Sequence, residues 1–106
     1  MTIQNHFIRR LYMKTFTVID WNNPEKFFTD CVGCVLESPK QDQLVVYTAS
    51  GKGVSIGPQV VNPISLLLYQ KVLDTALAGG TITIPDLNGL NDDELRIAID
   101  NIKIEK

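Results

Sequence analysis

Residues 62–80 constrain this chain more than any other stretch. Asn62 is a capping residue, and Pro63 suits a first helical position, where its missing N–H would have no partner anyway. Val61 can staple to Leu66 across the start. The spacing predicts a helix with its body over 64–78, stopped by Gly79-Gly80, since glycine takes the left-handed conformation that ends helices. Its only polar stripe is Gln70, Lys71, Asp74 and Thr75. A surface helix in a small domain normally shows a polar half. This helix is therefore expected either inside the core or partly at a contact between copies, with Leu66, Leu67, Tyr69 and Leu73 as the oligomer face.

The segments around it alternate between strand and helix signals. Residues 14–20 place Phe16, Val18 and Asp20 on one side and Thr15, Thr17 and Ile19 on the other, a β-branched strand pattern. Asn22-Asn23-Pro24 predicts a second helix start, with Glu25 in its first turn, Phe27, Phe28 and Cys31 as its packing face and Gly33 as its stop. From Cys34 the period becomes two. Residues 34–38, 43–50 and 54–56 read as a three-stranded meander, with turns at 39–42 and 50–53. Thr81-Ile-Thr-Ile84 is a short strand ended by Pro85. Asn91 with Glu94 three residues on predicts a capping box, and Leu95, Ile97, Ala98, Ile99 and Ile102 are the apolar positions of the last helix.

The expected fold is α+β: an antiparallel meander packed with two to three helices, in the order β-α-β-β-β-α-β-α. The alternative continues the first helix through Gly33 to Glu37 and gives a ferredoxin-like βαββαβ order plus a C-terminal helix. A glycine costs a helix interior about 1 kcal/mol, which favours the meander.

With 106 residues there is room for one core and no second domain. A single domain is expected over 13–106. Residues 1–12 stand apart: arginine can be encoded by purine-rich codons, and Arg9-Arg10 just ahead of Met13 has the spacing of a ribosome-binding site read as protein, so one expectation for this segment is a non-native or extended N-terminal piece. Its other reading is an amphipathic helical turn or two carrying Ile3, Phe7, Ile8 and Leu11.

Ten Lys plus Arg against twelve Asp plus Glu gives a net charge of −2, too small to imply a nucleic-acid or other polyelectrolyte partner. The charge is uneven: residues 1–14 sum to +3 and residues 84–106 to −3. The N-terminus has polar Gln4, Asn5 and His6 where a secretory h-region would sit, and the near-apolar run Ile64–Leu73 falls well short of the roughly 20 residues of a bilayer span. A reducing cytoplasm and no membrane contact are the expectation.

The chemistry-bearing motifs are sparse. Cys31-Val-Gly-Cys34 resembles a redox or zinc pair, but it falls at the predicted end of a helix, where the dipole opposes a thiolate, and no second pair completes a zinc site. Ordinary packing is expected for both thiols. Ser50-Gly51-Lys52-Gly53 lacks the Ser or Thr after the lysine and the helix that a phosphate loop needs, so it reads as a hairpin turn. A single histidine, His6, leaves no Ser-His-Asp or Cys-His arrangement. Paired-carboxylate chemistry leaves no spacing signature to find. Base-stacking aromatics are absent from Lys52–Ile56, though Tyr47 is available. No catalytic residue, cofactor or metal site is expected.

What remains are surfaces. Asp92, Asp93 and Glu94 suit the first turn of a helix, and with Asp86 they form an acidic face for a basic partner. Trp21 is either a core-edge anchor or, if exposed, a binding hot spot. Asn23-Pro24 and Asn62-Pro63, two helix starts set around a sheet, resemble the layout of small accessory proteins of bacteriophages. That resemblance implies binding rather than catalysis and gives no residue a role. The expected function is a small soluble intracellular interaction protein, of the inhibitor, anti-defence, immunity or adaptor type, with a protein partner. The alternatives are a homo-oligomeric (homodimeric) small-ligand binder and a nucleic-acid-associated accessory protein.

Overall fold

The computed structural model describes residues 15–21, 27–37 and 40–106. The readings made for residues 1–14 and for the Asn22–Lys26 helix start lie outside them.

The fold is α+β. Its elements are β1 (Phe16–Asp20), β2 (Phe27–Glu37), β3 (Gln43–Thr48), β4 (Gly53–Ile56), α1 (Asn62–Ala78), β5 (Thr81–Ile84), α2 (Asp92–Asp100) and β6 (Ile104–Glu105). One mixed sheet has the strand order β4-β3-β2-β1-β5-β6, antiparallel throughout except where β5 runs parallel beside β1.

The expected meander is present as β2-β3-β4, and the alternation of β1 is as read: Phe16, Val18 and Asp20 are buried. The helix expected before the meander is not there from Phe27 onward. Residues 27–31 form instead the first half of β2, paired to β1 through Ile19↔Phe27, Val18↔Phe28 and Phe16↔Cys31. Phe-Phe-Thr-Asp-Cys-Val is a run of weak helix formers in which Phe, Thr and Val suit a strand and Asp30 does not, and the partner strand β1 decides between the two. Gly33 does not stop a helix. It sits where the β2–β3 register slips between Cys31 and Gly33, and a bulge bends the strand at that point.

The bend folds the sheet around its core. Strands β4 and β1 are three spacings apart in the sheet, about 14 Å if it were flat. Yet the Gly57 N–H, just past the end of β4, donates to Asp20 Oδ2 at the end of β1 at 3.0 Å. The sheet therefore curls so that β4 closes toward β1 and β5. Phe16, Val18, Val46, Ile56, Ile82 and Ile84 line the concave side, and α1 fills it with Ile64, Leu68, Val72 and Ala76.

Both helices end as their sequences dictate, with one shift. Val61, not Asn62, is the N-cap of α1, and no side chain caps it. The Asn62 amide instead donates to Lys40 O, while Ser65 Oγ donates to Gln41 O at 2.8 Å, tying the helix start to the β2–β3 turn. Gly79 ends α1 at φ 70, and Gly80 N–H closes on Thr75 O. The capping box of α2 is complete, with Glu94 N–H on Asn91 Oδ1 and Asn91 N–H on Glu94 Oε1, both 2.9 Å. Leu95, Ile99 and Ile102 are buried as expected, whereas Ile97 faces solvent. Lys71 Nζ donates to the Asp100 and Ile102 carbonyls and satisfies the end of α2.

Candidate functional site

The parallel pair β1 and β5 ends at one level, and the chain beyond each end stays together: Trp21 N–H donates to Ile84 O at 2.9 Å. Asp86 follows two residues after Ile84. Its Oδ1 accepts from Asn88 N–H, a local turn that lets Leu87 bury in the core. The loop then reaches Asn91 and the first turn of α2. Asp92 shares a groove of about 260 Å³ with Val61 and Leu87, so this turn lies beside the start of α1. The structure thus brings Trp21, distant in sequence, to the same loop-bearing end of the domain as Asp86 and the turn Asp92-Asp93-Glu94.

Within it the acids differ. Glu94 is committed to the capping box, while Asp92 and Asp93 are exposed and make the first turn of α2 negative without closing a bond of that box. Trp21 is not a core-edge anchor: it is 69% exposed. Beside it Phe27, the register partner of Ile19, is 53% exposed. Ile19, Asp20, Trp21 and Phe27 line a cleft of about 320 Å³. Sequence reasoning misses Phe27 because it places the residue on a helix. On a strand, alternation against Phe28 turns it to the outer face. Asp20 is also missed as a site feature, although an acid on the apolar side of a strict alternation is its signal.

The thiols lie elsewhere. Cys31 is buried on β2 and Cys34 is half-buried three residues on, past the bulge rather than at a helix end. Burial, with the Asp30 charge adding to it, pushes the Cys31 thiol up to about 11, against a backbone hydrogen bond from Val18. Burial and the neighbouring Cys31 push Cys34 up to about 11 as well. Such thiols are poor nucleophiles. Among the described residues no group of three or more His, Cys, Asp or Glu side chains is arranged to hold a metal ion. Ser50–Gly53 is a hairpin turn, with Thr48 N–H on Lys52 O and Gly51 at φ 88. Among the described residues no helix is long and apolar enough to cross a membrane.

The residues expected on an oligomer face divide between two flanks of α1. Leu66, Tyr69 and Leu73 share one flank. Leu67 is on the other, facing α2 across a cleft of about 170 Å³ with Lys71, Asp74 and Arg96.

No family model matches the chain, and neither a curated protein nor a solved structure matches it.

Proposed function

We propose that this domain is a protein-binding module whose partner docks at the loop-bearing end, seating an apolar side chain against Trp21 and Phe27 and basic residues against Asp86, Asp92 and Asp93. The observation that carries the reading is the exposed pair Trp21 and Phe27 on the ends of paired strands. A large aromatic held in solvent by a rigid sheet costs a monomer solubility, and such aromatics are the residues that dominate binding energy at interfaces. The acidic residues Asp86, Asp92 and Asp93 at the same end of the domain suit a basic rim on the partner, which raises association rate and selectivity more than affinity.

A random-peptide display selection against the intact domain tests this. Peptides with an aromatic or aliphatic anchor flanked by Lys or Arg should enrich. Trp21→Ala should weaken them by about 30-fold, the scale of a hot-spot truncation, with the melting temperature unchanged. Asp92→Asn/Asp93→Asn should slow association and flatten its salt dependence. No enrichment, or equal binding by Trp21→Ala, overturns the proposal.

A further inference from the structure

Strand β2 carries both cysteines, and its bulge decides how they stand. In a regular strand, residues three apart point to opposite faces, which would leave Cys31 and Cys34 on different sides of the sheet. Here Cys31 is the partner of Thr48 and Cys34 the partner of Val46, so three steps along β2 match two along β3. The extra residue is absorbed between Cys31 and Gly33, and Cys34 returns to the face of Cys31. Burial agrees. Cys31 belongs to the core cluster and Cys34 packs against it, whereas Val32 and Val35 are 39% and 38% exposed. Two strand steps span about 6.6 Å, inside the range of about 4.4–6.8 Å over which a disulfide joins Cα atoms. The two thiols also feel each other, since Cys31 is one of the causes that push the Cys34 thiol up.

We propose that Cys31 and Cys34 are a reversible redox pair that closes a disulfide across the β2 bulge, with glutathione disulfide or a like small disulfide as the oxidant. Cys34 is the more accessible and reacts first. It gives up its proton, its sulfur attacks one sulfur of glutathione disulfide, and one glutathione leaves and takes a proton. Cys31 then gives up its proton and attacks Cys34 Sγ. The mixed disulfide breaks, and the second glutathione leaves and is protonated in turn. Both protein thiols are oxidised, and one glutathione disulfide is reduced to two glutathiones. Cys31 needs no opening to solvent for its step, because its own strand delivers the sulfur it attacks. The environment favours the closed form. A disulfide becomes strongly oxidising when the protein stabilises the reduced thiolate, and this fold does the reverse by holding both thiols at about 11. A disulfide in the same place buries no charge. The high thiol values make the exchange slow at neutral pH without moving its end point.

Equilibration of the intact protein with graded glutathione buffers at about pH 8, approached from both the reduced and the oxidised side and read by intact mass after trapping in acid, is the test. The oxidised product should be a single chain lighter by two hydrogens, with no glutathione attached. The glutathione ratio at half oxidation gives the effective concentration of the two thiols. It should be at least about tenfold higher in the native protein than in the same chain in urea, because the bulge holds the thiols on one face. Fold and bond must stabilise each other reciprocally, so the oxidised protein should also unfold at a higher urea midpoint than the reduced one. Cys34→Ser should show neither the loss of two hydrogens nor the rise in midpoint. A pair no easier to oxidise in the fold than in urea overturns the proposal, since the bulge would then hold the thiols apart. So does an oxidised protein with a lower urea midpoint, or a product made of two linked chains. A rise in midpoint for oxidant-treated Cys34→Ser would trace the effect to something other than this bond and would overturn it as well.

Discussion

The Gly57 N–H donates to Asp20 Oδ2 at 3.0 Å, and this one hydrogen bond joins the end of the edge strand β4 to β1, the strand three places further into the sheet. It is how a curled sheet with a bulged β2 is closed at the loop end. Asp20 is 2% exposed, so its carboxylate has exchanged water for protein donors. Gly57 stands at φ 72, a conformation that a side chain disfavours.

Asp20→Ala should therefore cost about 1–3 kcal/mol, because the Gly57 N–H loses its acceptor. Asp20→Asn keeps an acceptor oxygen and should cost less. Urea unfolding of both variants gives the comparison. If Asp20→Ala is as stable as the parent, the closure of the sheet does not depend on this bond.

The cysteines give the pH dependence. Both thiols are held at about 11 in the fold, against an ordinary value of 9.0. The folded state thus keeps protons that the unfolded chain releases, so this contribution is intact below about pH 9 and is lost as pH rises from there toward 11. Urea midpoints should fall across that window, and Cys31→Ala/Cys34→Ala should flatten the slope even though it lowers stability overall. Alkylation of the native protein at neutral pH should be slow and should accelerate sharply in denaturant. Fast alkylation of the folded protein would mean that the thiols are not buried as described.

The capping box separates structural from binding roles in the acidic turn. Asn91→Ala removes the acceptor of Glu94 N–H and should cost about 1 kcal/mol of stability. Asp92→Asn and Asp93→Asn break no bond of the box and should cost only a few tenths each, through the dipole. Thermal melts at low salt distinguish them. Equal losses for all three positions would make the whole triad a stability device and remove the reason to assign Asp92 and Asp93 to a partner.

Much of this fold is readable from local chemistry. Gly79 and the Asn91–Glu94 pair end and begin helices through backbone groups within a turn of themselves, so sequence carries their full cause. The meander and β5 are readable for the same reason, as short runs between turn residues. The first half of β2 is not. Asn-Asn-Pro followed by Phe27, Phe28 and Cys31 satisfies a helix template, and only pairing with β1 selects the strand. Gly33 is ambiguous in the same way, because a helix stop and a strand bulge both call for glycine. β6 has one apolar residue, Ile104, and exists because β5 offers it an edge. At the loop end, Trp21 and the acids are legible as residue types. Their assembly, and the exposure of Phe27, depend on the parallel β1–β5 pairing, which no local signal specifies.

Gly80 tests the least legible of these contacts, the pairing of β6. Its carbonyl accepts from Thr17 N–H in β1 and its N–H closes the end of α1, so the residue is fixed on both sides. A Cβ placed there would sit 2.2 Å from Glu105 O, a backbone atom of β6 that has no side-chain freedom with which to yield. Gly80→Ala should therefore displace β6 rather than distort α1. Its cost should appear as early loss of amide protection at Thr81 and Glu105, whose backbone groups face each other across β5 and β6, seen by hydrogen exchange, with protection across α1 retained. In a chain ended after Ile102 the clash is gone, and the same substitution should become close to neutral. The stability difference between the two backgrounds is the coupling between Gly80 and β6. An equal penalty in both would place the strain at the end of α1 instead, and would leave β6 with no part in holding β5.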